Sequence, residues 1–401
     1  MQILPISEGY NNKIEVSQLN ADHALALRKK HPNKVEVVQD VADKEHFQIR
    51  SKGYIGYLVV SRDFGLQIVP KVQIANIFKM IEYANRIESV EFLKGQVKID
   101  KLDDLAEGLA SILAILVLNR ARKGLYANYI DEKALLPLVR GRIDVGSTIR
   151  ASQWPSTSLC CKYEEHTVDI EDNRILLWTL YCLRRLYFQR EGFHQPVRRA
   201  YQALKGSVTL EQKEAKDCVD RSYDRLNDDY KSMHMLCSFF LENLSPGLMA
   251  GKRAFLPFTL YMPQLFESFV REWLIKYCPQ NIIAQPWIEP VKATEPLTLK
   301  MDIVLRDASS KEVIAVIDTK YKTDDSGSSA SSPSNEDIYQ ILTYSHQMSC
   351  PKAILVYPSG TSECFEAQMQ DISVQSVVFD ISQDDLGGTK FSKDLARALE
   401  T

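Results

Sequence analysis

A run of apolar residues that ends in charge is the feature that most constrains how this chain can fold. Residues 313 to 322 read VIAVIDTKYK, so five apolar side chains are followed by Asp318, Lys320 and Lys322. A run this apolar predicts a buried strand. The charged residues that follow therefore mark the point where a buried strand leaves the core.

The segment just before this run predicts the other half of a β-hairpin. Residues 299 to 306 and 312 to 320 read as two strands, joined by a turn at 307 to 311. Pairing them around that turn sets Asp302 opposite Ile317 or Asp318, and the alternation of a strand puts Asp318 and Lys320 on one face. We therefore expect Asp302, Asp318 and Lys320 to converge at one end of a sheet.

Three carboxylate and ammonium groups at such a place have a chemical use. Two carboxylates from neighbouring strands supply the hard oxygen ligands that Mg²⁺ prefers, and the carbonyl of Thr319 is a natural further ligand. A metal there polarises a scissile phosphate and lowers the pKa of a bound water. Lys320 can orient that water or offset the charge that grows on the phosphate. The pattern thus favours a phosphodiesterase site.

The alternative interpretation is a solvated strand end with an ordinary acid–base pair. Against it, an isolated acid that closes an apolar run would be poorly solvated. A following helix also carries Gln340 and Tyr344 on one face, at a spacing of i and i+4. Upstream, Glu267 lies on a predicted helix, where it serves as a neighbour of the metal site or as a surface carboxylate.

The pattern along the chain predicts an α+β protein with several domains. Residues 1 to 73 read as a β-rich N-terminal region, and residues 74 to 250 as a mostly helical middle domain. Residues 251 to 401 alternate helices and strands, which predicts an α/β domain around a central mixed sheet. Within the middle domain we expect helix over 210 to 244, and a hairpin or turn, not a helix, over 140 to 150.

Composition and motifs exclude several classes of protein. The eight cysteines form no C-x-x-C pair, the net charge is −3, and the longest apolar stretch, residues 109 to 118, is too short for a bilayer. These features predict a cytoplasmic protein without membrane contact. Residues 247 to 253, GLMAGKR, resemble a phosphate-binding loop, but they have three residues between the glycines and no hydroxyl after the lysine. We therefore expect that any GTP is bound by a partner.

A local basic segment offers a surface for DNA phosphates. Residues 184 to 205 interleave basic and aromatic side chains, a pattern that suits phosphate neutralisation along DNA. The basic residues of interest are Arg184, Arg185, Arg198 and Arg199. A solvated helical face with buried aromatic residues explains the pattern equally well.

Taken together, Asp302, Asp318-x-Lys320 and Gln340-x-x-x-Tyr344 resemble the motifs of the PD-(D/E)xK nuclease superfamily, with a methionine at 301 in place of the proline. More narrowly, the chain resembles the McrC family. The matching stretches occur in the same order as in that family and are ANIFKMIEYA (75 to 84), VRGRIDVGSTIR (139 to 150), EDNRILLWTL (171 to 180), LFESFV (265 to 270), IDTKYK (317 to 322), DIYQILTY (337 to 344) and ILVYP (354 to 358).

The resemblance implies a function. McrC-like proteins are the nuclease subunit of a modification-dependent restriction system, and their partner is an McrB-like AAA+ GTPase ring whose GTP hydrolysis they stimulate. Asp302, Asp318 and Lys320 would then be the catalytic set with Mg²⁺, Glu267 being a less secure member. The substrate would be modified double-stranded DNA, and Lys322 would contact its phosphate.

The resemblance also suggests that the N-terminal region reaches into the partner ring. Arg62, Phe64 and Tyr57 lie around a predicted hairpin tip, from which Arg62 could approach a neighbouring nucleotide site. The alternative is a small β-barrel that only supports the assembly. Two further functions remain open: a stand-alone PD-(D/E)xK repair nuclease, and a non-catalytic bridging subunit that binds DNA and activates the partner NTPase.

Overall fold

A computed structural model describes most of the chain. The described residues are 2–9, 12–39, 46–61, 63–84, 101–151, 158–186, 188–243, 258–291, 297–321, 333–358, 365–382 and 388–400. The contacts divide the chain into two compact units. The first unit joins Met1–Leu105 with Pro257–Thr401, and the second is Ala106–Leu256. The sequence predicted three successive regions instead, with boundaries near residues 73 and 250.

The N-terminal part of the first unit contains two small sheets. A three-stranded antiparallel sheet has the order β2-β4-β3, and a helix packs beside it. A four-stranded sheet has the order β1-β6-β5-β10, in which β1 and β6 are parallel. The elements are β1 (Gln2–Ser7), β2 (Asn12–Glu15), α1 (Ala21–Lys30), β3 (Val35–Gln39), β4 (His46–Ser51), β5 (Tyr54–Val59), β6 (Phe64–Val69), α2 (Ile74–Ala84) and β10 (Thr259–Tyr261). The β-rich character predicted for this region is confirmed.

A close backbone approach at Gly56 joins the N-terminal and C-terminal parts of the first unit. Thr259 of β10 lies opposite Gly56 of β5, and the Tyr57 amide donates to the Phe258 carbonyl at 2.7 Å. Gly56 has φ +114°, and a Cβ at this position would collide with the Phe258 carbonyl oxygen. Only glycine tolerates both conditions. This strand pair places the N-terminal sheet and the C-terminal part of the chain in one unit.

The C-terminal part forms the predicted mixed sheet. Its order is β11-β12-β13-β14-β16-β15, with β13, β14 and β16 parallel and the other pairs antiparallel. The elements are α8 (Met262–Tyr277), β11 (Ile282–Val291), β12 (Leu297–Asp307), β13 (Val313–Thr319), α9 (Asn335–Gln347), β14 (Lys352–Tyr357), β15 (Glu366–Met369), β16 (Ile372–Val378) and α10 (Gly388–Glu400). The α+β class is therefore confirmed.

Helices cover the central strands of this sheet, which explains their apolar sequences. Val316 of β13 packs in one core cluster with Ile341 and Tyr344 of α9. Another aromatic cluster joins α8 and α10, with Trp273 and Phe391 at 5.1 Å between ring centroids. Strands that are covered on both faces read as continuous apolar runs. Because side chains alternate along a strand, Asp318 and Lys320 continue the face of Val316, towards α9.

The second unit combines helices with a small antiparallel sheet of order β7-β9-β8. Its elements are α3 (Leu102–Lys123), which begins in the first unit, β7 (Asn128–Leu136), β8 (Arg142–Ile143), α4 (Val145–Ala151), β9 (Leu159–Thr167), α5 (Glu171–Leu183), α6 (Glu191–Leu204), a 3₁₀ turn (Ala215–Cys218) and α7 (Tyr230–Asn243). Among the described residues, no helix combines the length and the apolar character that crossing a membrane requires.

Three expectations for this unit were wrong. The sequence did not predict the sheet, because charged and apolar residues alternate with no clear apolar face in β7. In the structure, β7 accordingly has no fully buried side chain. Helix was predicted over 210 to 244, but α7 begins only at Tyr230. Before it, side chains of Asp224 and Asn227 bond nearby backbone amides, which favours turns over helix. Finally, the hairpin or turn expected over 140 to 150 is only partly present: β8 pairs with β9, but residues 145 to 151 form the helix α4.

A buried carboxylic acid, Glu8, lies just after β1. It is 1% exposed, and its Oε2 accepts from the Lys71 amide at 3.2 Å and from the Tyr321 hydroxyl at 3.4 Å. Burial raises the pKa of Glu8 to about 7, although the hydrogen bonds from Lys71 and Tyr321 oppose this shift. The native chain therefore holds a proton here that the unfolded chain loses near the ordinary pKa of glutamate.

We predict that Gly56→Ala destabilises the first unit by about 2 kcal/mol or more, because both the backbone conformation and the Phe258 carbonyl oppose a Cβ. Differential scanning calorimetry measures the effect. Gly192→Ala is the matched control, since Gly192 lies in α6 and a Cβ there meets nothing within 4 Å. Equal melting temperatures for the two variants would contradict the close approach.

We also predict a pH-dependent gain in stability for Glu8→Gln. Between pH 4.5 and about 7 the native state binds more protons than the unfolded state, so the contribution of Glu8 to stability falls as the pH rises through this window. Relative to the wild type, the free energy of unfolding of E8Q should rise by about 3 kcal/mol from about pH 5 to about pH 8. Urea titrations at both pH values measure it.

Val37→Ala is the control for that experiment. Val37 is a buried apolar residue of the N-terminal core, so its truncation should lower stability by the same amount at both pH values. A pH-independent difference between E8Q and the wild type would show that Glu8 has no raised pKa.

Candidate active site

The strand register brings the predicted carboxylates together. Ile303 of β12 lies opposite Ile317 of β13, so Asp302 and Asp318 are the next residues of the two antiparallel strands. This agrees with the predicted register to within one residue. On the other side, β13 pairs with β14, and the Lys320 amide donates to the Val356 carbonyl at 2.8 Å. The cluster therefore lies at the end of a strand that is held from both sides.

Asp302 binds the end of the neighbouring strand. Its Oδ2 accepts hydrogen bonds from the Thr319 amide and from the Thr319 hydroxyl, both at 2.8 Å. The two bonds use one oxygen of the carboxylate and fix its orientation. The Thr319 backbone, which the sequence proposed as a further ligand, is thus held beside Asp302.

Asp318 is a buried carboxylate that pairs with the lysine two residues further on. The residue is 1% exposed, and its Oδ2 lies 2.5 Å from Lys320 Nζ. This short contact joins the carboxylate to the ammonium group. Burial raises the pKa of Asp318 to about 6, with a further upward contribution from Asp302 and an opposing one from Lys320.

A chain of hydrogen bonds holds Lys320 against α9. Lys320 Nζ donates to Gln340 Oε1 at 2.7 Å, and Gln340 Nε2 donates to the Tyr344 hydroxyl at 2.8 Å. The predicted shared face of Gln340 and Tyr344 is confirmed, and it faces the strand end. A side chain with four rotatable bonds is thereby restricted to one position.

Asp337 is a member of this cluster that the sequence reasoning missed. It is 3% exposed, and its Oδ1 lies 3.8 Å from Lys320 Nζ. Its Oδ2 accepts from the hydroxyls of Ser334 at 2.8 Å and Tyr357 at 3.3 Å. The signal was present, since Ser334 precedes Asp337 by three residues in the pattern of a helix N-cap. That pattern predicts a helix start, however, and does not predict contact with Lys320.

Glu267 of α8 lies near Asp302. Burial raises the pKa of Glu267, and the charge of Asp302 adds to that effect, whereas Lys300 and Arg271 lower it. Arg271 Nη1 is 3.7 Å from Glu267 Oε1. Glu267 therefore lies within electrostatic range of Asp302 and is paired with Arg271, and its role next to the metal site stays a prediction.

Two residues predicted to bind a partner lie in the core instead. Phe64 is 1% exposed and stacks on His23 at 4.2 Å between ring centroids, and Tyr57 is 6% exposed. The expectation that these rings project from a hairpin tip is wrong, because Phe64 lies in the N-terminal core and Tyr57 packs against Phe258. Arg62 and Lys322, the other residues predicted around such contacts, lie outside the described residues.

The four arginines predicted to bind DNA belong to the second unit and differ in their surroundings. Arg184 packs on the ring of Tyr201, with its guanidinium carbon 4.0 Å from the ring centroid. Arg198 pairs with Glu191 at 3.2 Å. Arg185 and Arg199 are exposed. Packing therefore accounts for Arg184, and DNA contact stays a prediction for the other three.

The donor set at the strand end suits a hard divalent cation. Asp302 and Asp318 offer carboxylate oxygens at adjacent positions of two paired strands. In the part of the chain that the structure describes, no group of three or more His, Cys, Asp or Glu side chains forms a metal cage. Mg²⁺ keeps several waters and is usually held by one or two carboxylates, which is the number that Asp302 and Asp318 offer.

Comparison with known proteins gives consistent matches. The family described as McrBC 5-methylcytosine restriction system component matches residues 49–358. A type IV methyl-directed restriction enzyme, EcoKMcrBC from Escherichia coli (strain K12), is 24% identical over 272 residues, which cover 63% of this chain and 74% of that protein.

Solved structures match as well. The first is a refined half-complex from a tetradecameric assembly of Thermococcus gammatolerans McrB AAA+ hexamers with bound McrC. One of its chains has a TM-score of 0.54 at 18% identity, over 99% of this chain and 100% of that chain. A cryo-EM structure of the Thermococcus gammatolerans McrBC complex gives a TM-score of 0.44 at 18% identity, over 70% and 89%. The first likeness supports the fold over the whole length.

We predict that Asp302→Asn weakens divalent metal binding on the order of tenfold or more, because it removes a charged oxygen ligand while keeping the size of the side chain. Isothermal titration calorimetry with Mg²⁺ or Mn²⁺ measures this. Asp307→Asn is the matched control, since Asp307 caps the turn of the same hairpin and bonds the amides of Ser309 and Ser310. Equal affinities for the wild type and D302N would argue against the site.

Proposed function

The chain belongs to the family of McrBC 5-methylcytosine restriction system components, and on that premise we propose that it is a DNA endonuclease subunit. Its substrate is modified double-stranded DNA, and it works with an AAA+ GTPase ring that binds the GTP. The observation that carries the proposal is the convergence of Asp302, Asp318 and Lys320 at a buried strand end, with Gln340 holding the lysine.

The carboxylates of Asp302 and Asp318 and the carbonyl of Thr319 would hold Mg²⁺. When bound there, Mg²⁺ supplies the Lewis acidity that polarises a phosphodiester and acidifies a water. The chain contributes the position of these oxygens, which the hydrogen bonds from Thr319 to Asp302 fix in advance. Preorganised ligands of this kind need no rearrangement when the substrate binds.

Lys320 acts on the reacting phosphate group of the DNA. Its ammonium contacts both the Asp318 carboxylate and the side-chain oxygen Oε1 of Gln340. The positive charge is therefore held next to the two carboxylates. There it offsets the negative charge that develops on the phosphate oxygens, or it orients the attacking water. Gln340 and Tyr344 act through Lys320, because both restrict its side chain and neither needs to contact the substrate.

The partner ring is proposed from the family and from the surface of the second unit. The matched structure from Thermococcus gammatolerans contains McrB AAA+ hexamers with bound McrC. In this chain, the second unit exposes large apolar side chains around β8 and α4: Leu138 at 80%, Val139 at 58%, Val145 at 63% and Ile149 at 71%. Large apolar side chains exposed close together in sequence favour a protein contact, so we propose the ring contact there.

We predict that Asp318→Ala and Lys320→Ala each lower DNA cleavage on the order of 10³-fold or more, since each removes several kcal/mol of transition-state stabilisation. The assay uses the full chain with its AAA+ ring, GTP, Mg²⁺ and modified DNA. Lys393→Ala, at an exposed lysine of α10, is the control and keeps wild-type cleavage. Both site variants should still bind the ring. Full cleavage by D318A would refute the assignment, and cleavage by the wild type without any ring would favour a stand-alone nuclease.

We further predict that Ile149→Asp weakens binding to the ring by about tenfold or more, because it places a charge in an apolar contact. Sedimentation of the mixed proteins measures binding, and release of phosphate from GTP measures stimulation of the ring. Leu226→Asp is the matched control, since Leu226 is 60% exposed elsewhere in the second unit. If both substitutions leave the assembly intact, or if both weaken it equally, the ring does not bind the surface around Ile149.

A further inference from the structure

Glu8 of the N-terminal region contacts the residue that follows the catalytic lysine. The Glu8 amide donates to the Val69 carbonyl at 2.9 Å, which fixes its backbone at the end of β1. Its Oε2 accepts from the Tyr321 hydroxyl at 3.4 Å, and Tyr321 is the next residue after Lys320. A contact thus runs from the N-terminal sheet to the end of β13.

Tyr321 lies between this glutamate and the helix that carries Glu267. Its ring centroid is 6.1 Å from that of Phe266, which is fully buried in α8. Burial raises the pKa of Tyr321 well above its usual range, and the neighbouring Glu8 adds to this. The hydroxyl therefore stays protonated and acts as the donor to Glu8.

The burial of the Glu8 carboxyl group costs free energy, which a residue with only a structural role would not need to lose. Glu8 is 1% exposed, and its Oε1 is a buried oxygen without a hydrogen bond among the described residues. Burial of a polar group without a partner is unfavourable, and an apolar residue of the same size would avoid the penalty. An unsatisfied group of this kind calls for a reason, and the contact with Tyr321 supplies one.

Long-range hydrogen bonds hold three consecutive residues at the end of β13. The Thr319 amide donates to Asp302, and the Lys320 amide donates to the Val356 carbonyl. The hydroxyl of Tyr321, the next residue, donates to Glu8. A displacement of about 1 Å at a catalytic group can lower a rate on the order of a hundredfold.

We propose that Glu8 is a positioning residue of the nuclease site: through Tyr321 it holds the end of β13, so that Lys320 faces Asp318. Its catalytic meaning rests on the proposed endonuclease function. The N-terminal β-rich region is then a support of the active site, in addition to any contact with a partner.

The test compares three variants of the full chain. Tyr321→Phe removes only the hydroxyl donor. Glu8→Leu removes the acceptor and replaces it with an apolar side chain of similar size. Glu8→Gln keeps an acceptor oxygen and is the conservative rescue. Hydrogen–deuterium exchange, read by mass spectrometry over residues 313–321, reports the opening of the Thr319 and Lys320 amides, because local opening controls their exchange.

We expect exchange of these amides to be about fivefold faster in Y321F and E8L, the size expected from the loss of one hydrogen bond. E8Q should exchange like the wild type. Val37→Ala is the control for general loosening, since it destabilises the N-terminal core without touching Glu8 or Tyr321. Unchanged exchange in both Y321F and E8L overturns the proposal, as does an equal acceleration in V37A.

Kinetics with the AAA+ ring, GTP and Mg²⁺ give the second measurement. Y321F and E8L should lower kcat by about tenfold, whereas KM for DNA stays within about twofold, because a displaced lysine impairs the reaction more than binding. A matching loss in V37A, or a change in KM alone, overturns the positioning role. If the wild type cleaves no DNA, the proposed function fails, and the exchange measurement still decides whether Glu8 holds the strand end.

Discussion

The approach of two carboxylates at a buried strand end is the constraint on which the rest of the first unit depends. Asp302 and Asp318 lie on adjacent strands, and Asp318 is almost completely removed from water. Two negative charges in such a place are stable only with compensating donors or cations. Thr319 supplies the donors to Asp302, and Lys320 supplies the charge beside Asp318.

Side chains from the surrounding elements hold the groups that compensate these charges. The α9 helix presents Gln340 and Asp337 to Lys320, and the N-terminal sheet presents Glu8 to Tyr321. Even so, burial raises the pKa of Asp318, and the neighbouring Asp302 adds to this shift. A group left in this state within a converging cluster is typical of a functional site rather than of a core built for stability.

The organisation of the chain follows from one strand pair. Because β10 pairs with β5 at Gly56, the N-terminal sheet and the C-terminal sheet share a compact unit, and residues between them form the other. The proposed ring contact and the proposed cleavage site then belong to different units. This arrangement would let binding and cleavage change independently, which is why a site variant and a surface variant are expected to separate the two.

Local patterns determined much of the fold and of the candidate site. The apolar run before Asp318, the turn at 307 to 311 and the spacing of Gln340 and Tyr344 predicted the hairpin, the helix and the shared face, because strand and helix periods are set by backbone geometry. The same patterns failed where burial depends on distant packing. Phe64 and Tyr57 read as exposed hairpin aromatics, but Phe64 stacks on His23 in the N-terminal core and Tyr57 packs against Phe258.

The sequence by itself therefore determined which side chains can face one another, and the tertiary structure decided which of them are enclosed and which elements join. The pairing of β5 with β10, the contact of Glu8 with Tyr321 and the place of Asp337 beside Lys320 all link segments that are far apart in the chain or on different elements. No local period encodes such contacts, because they depend on how complete surfaces pack together.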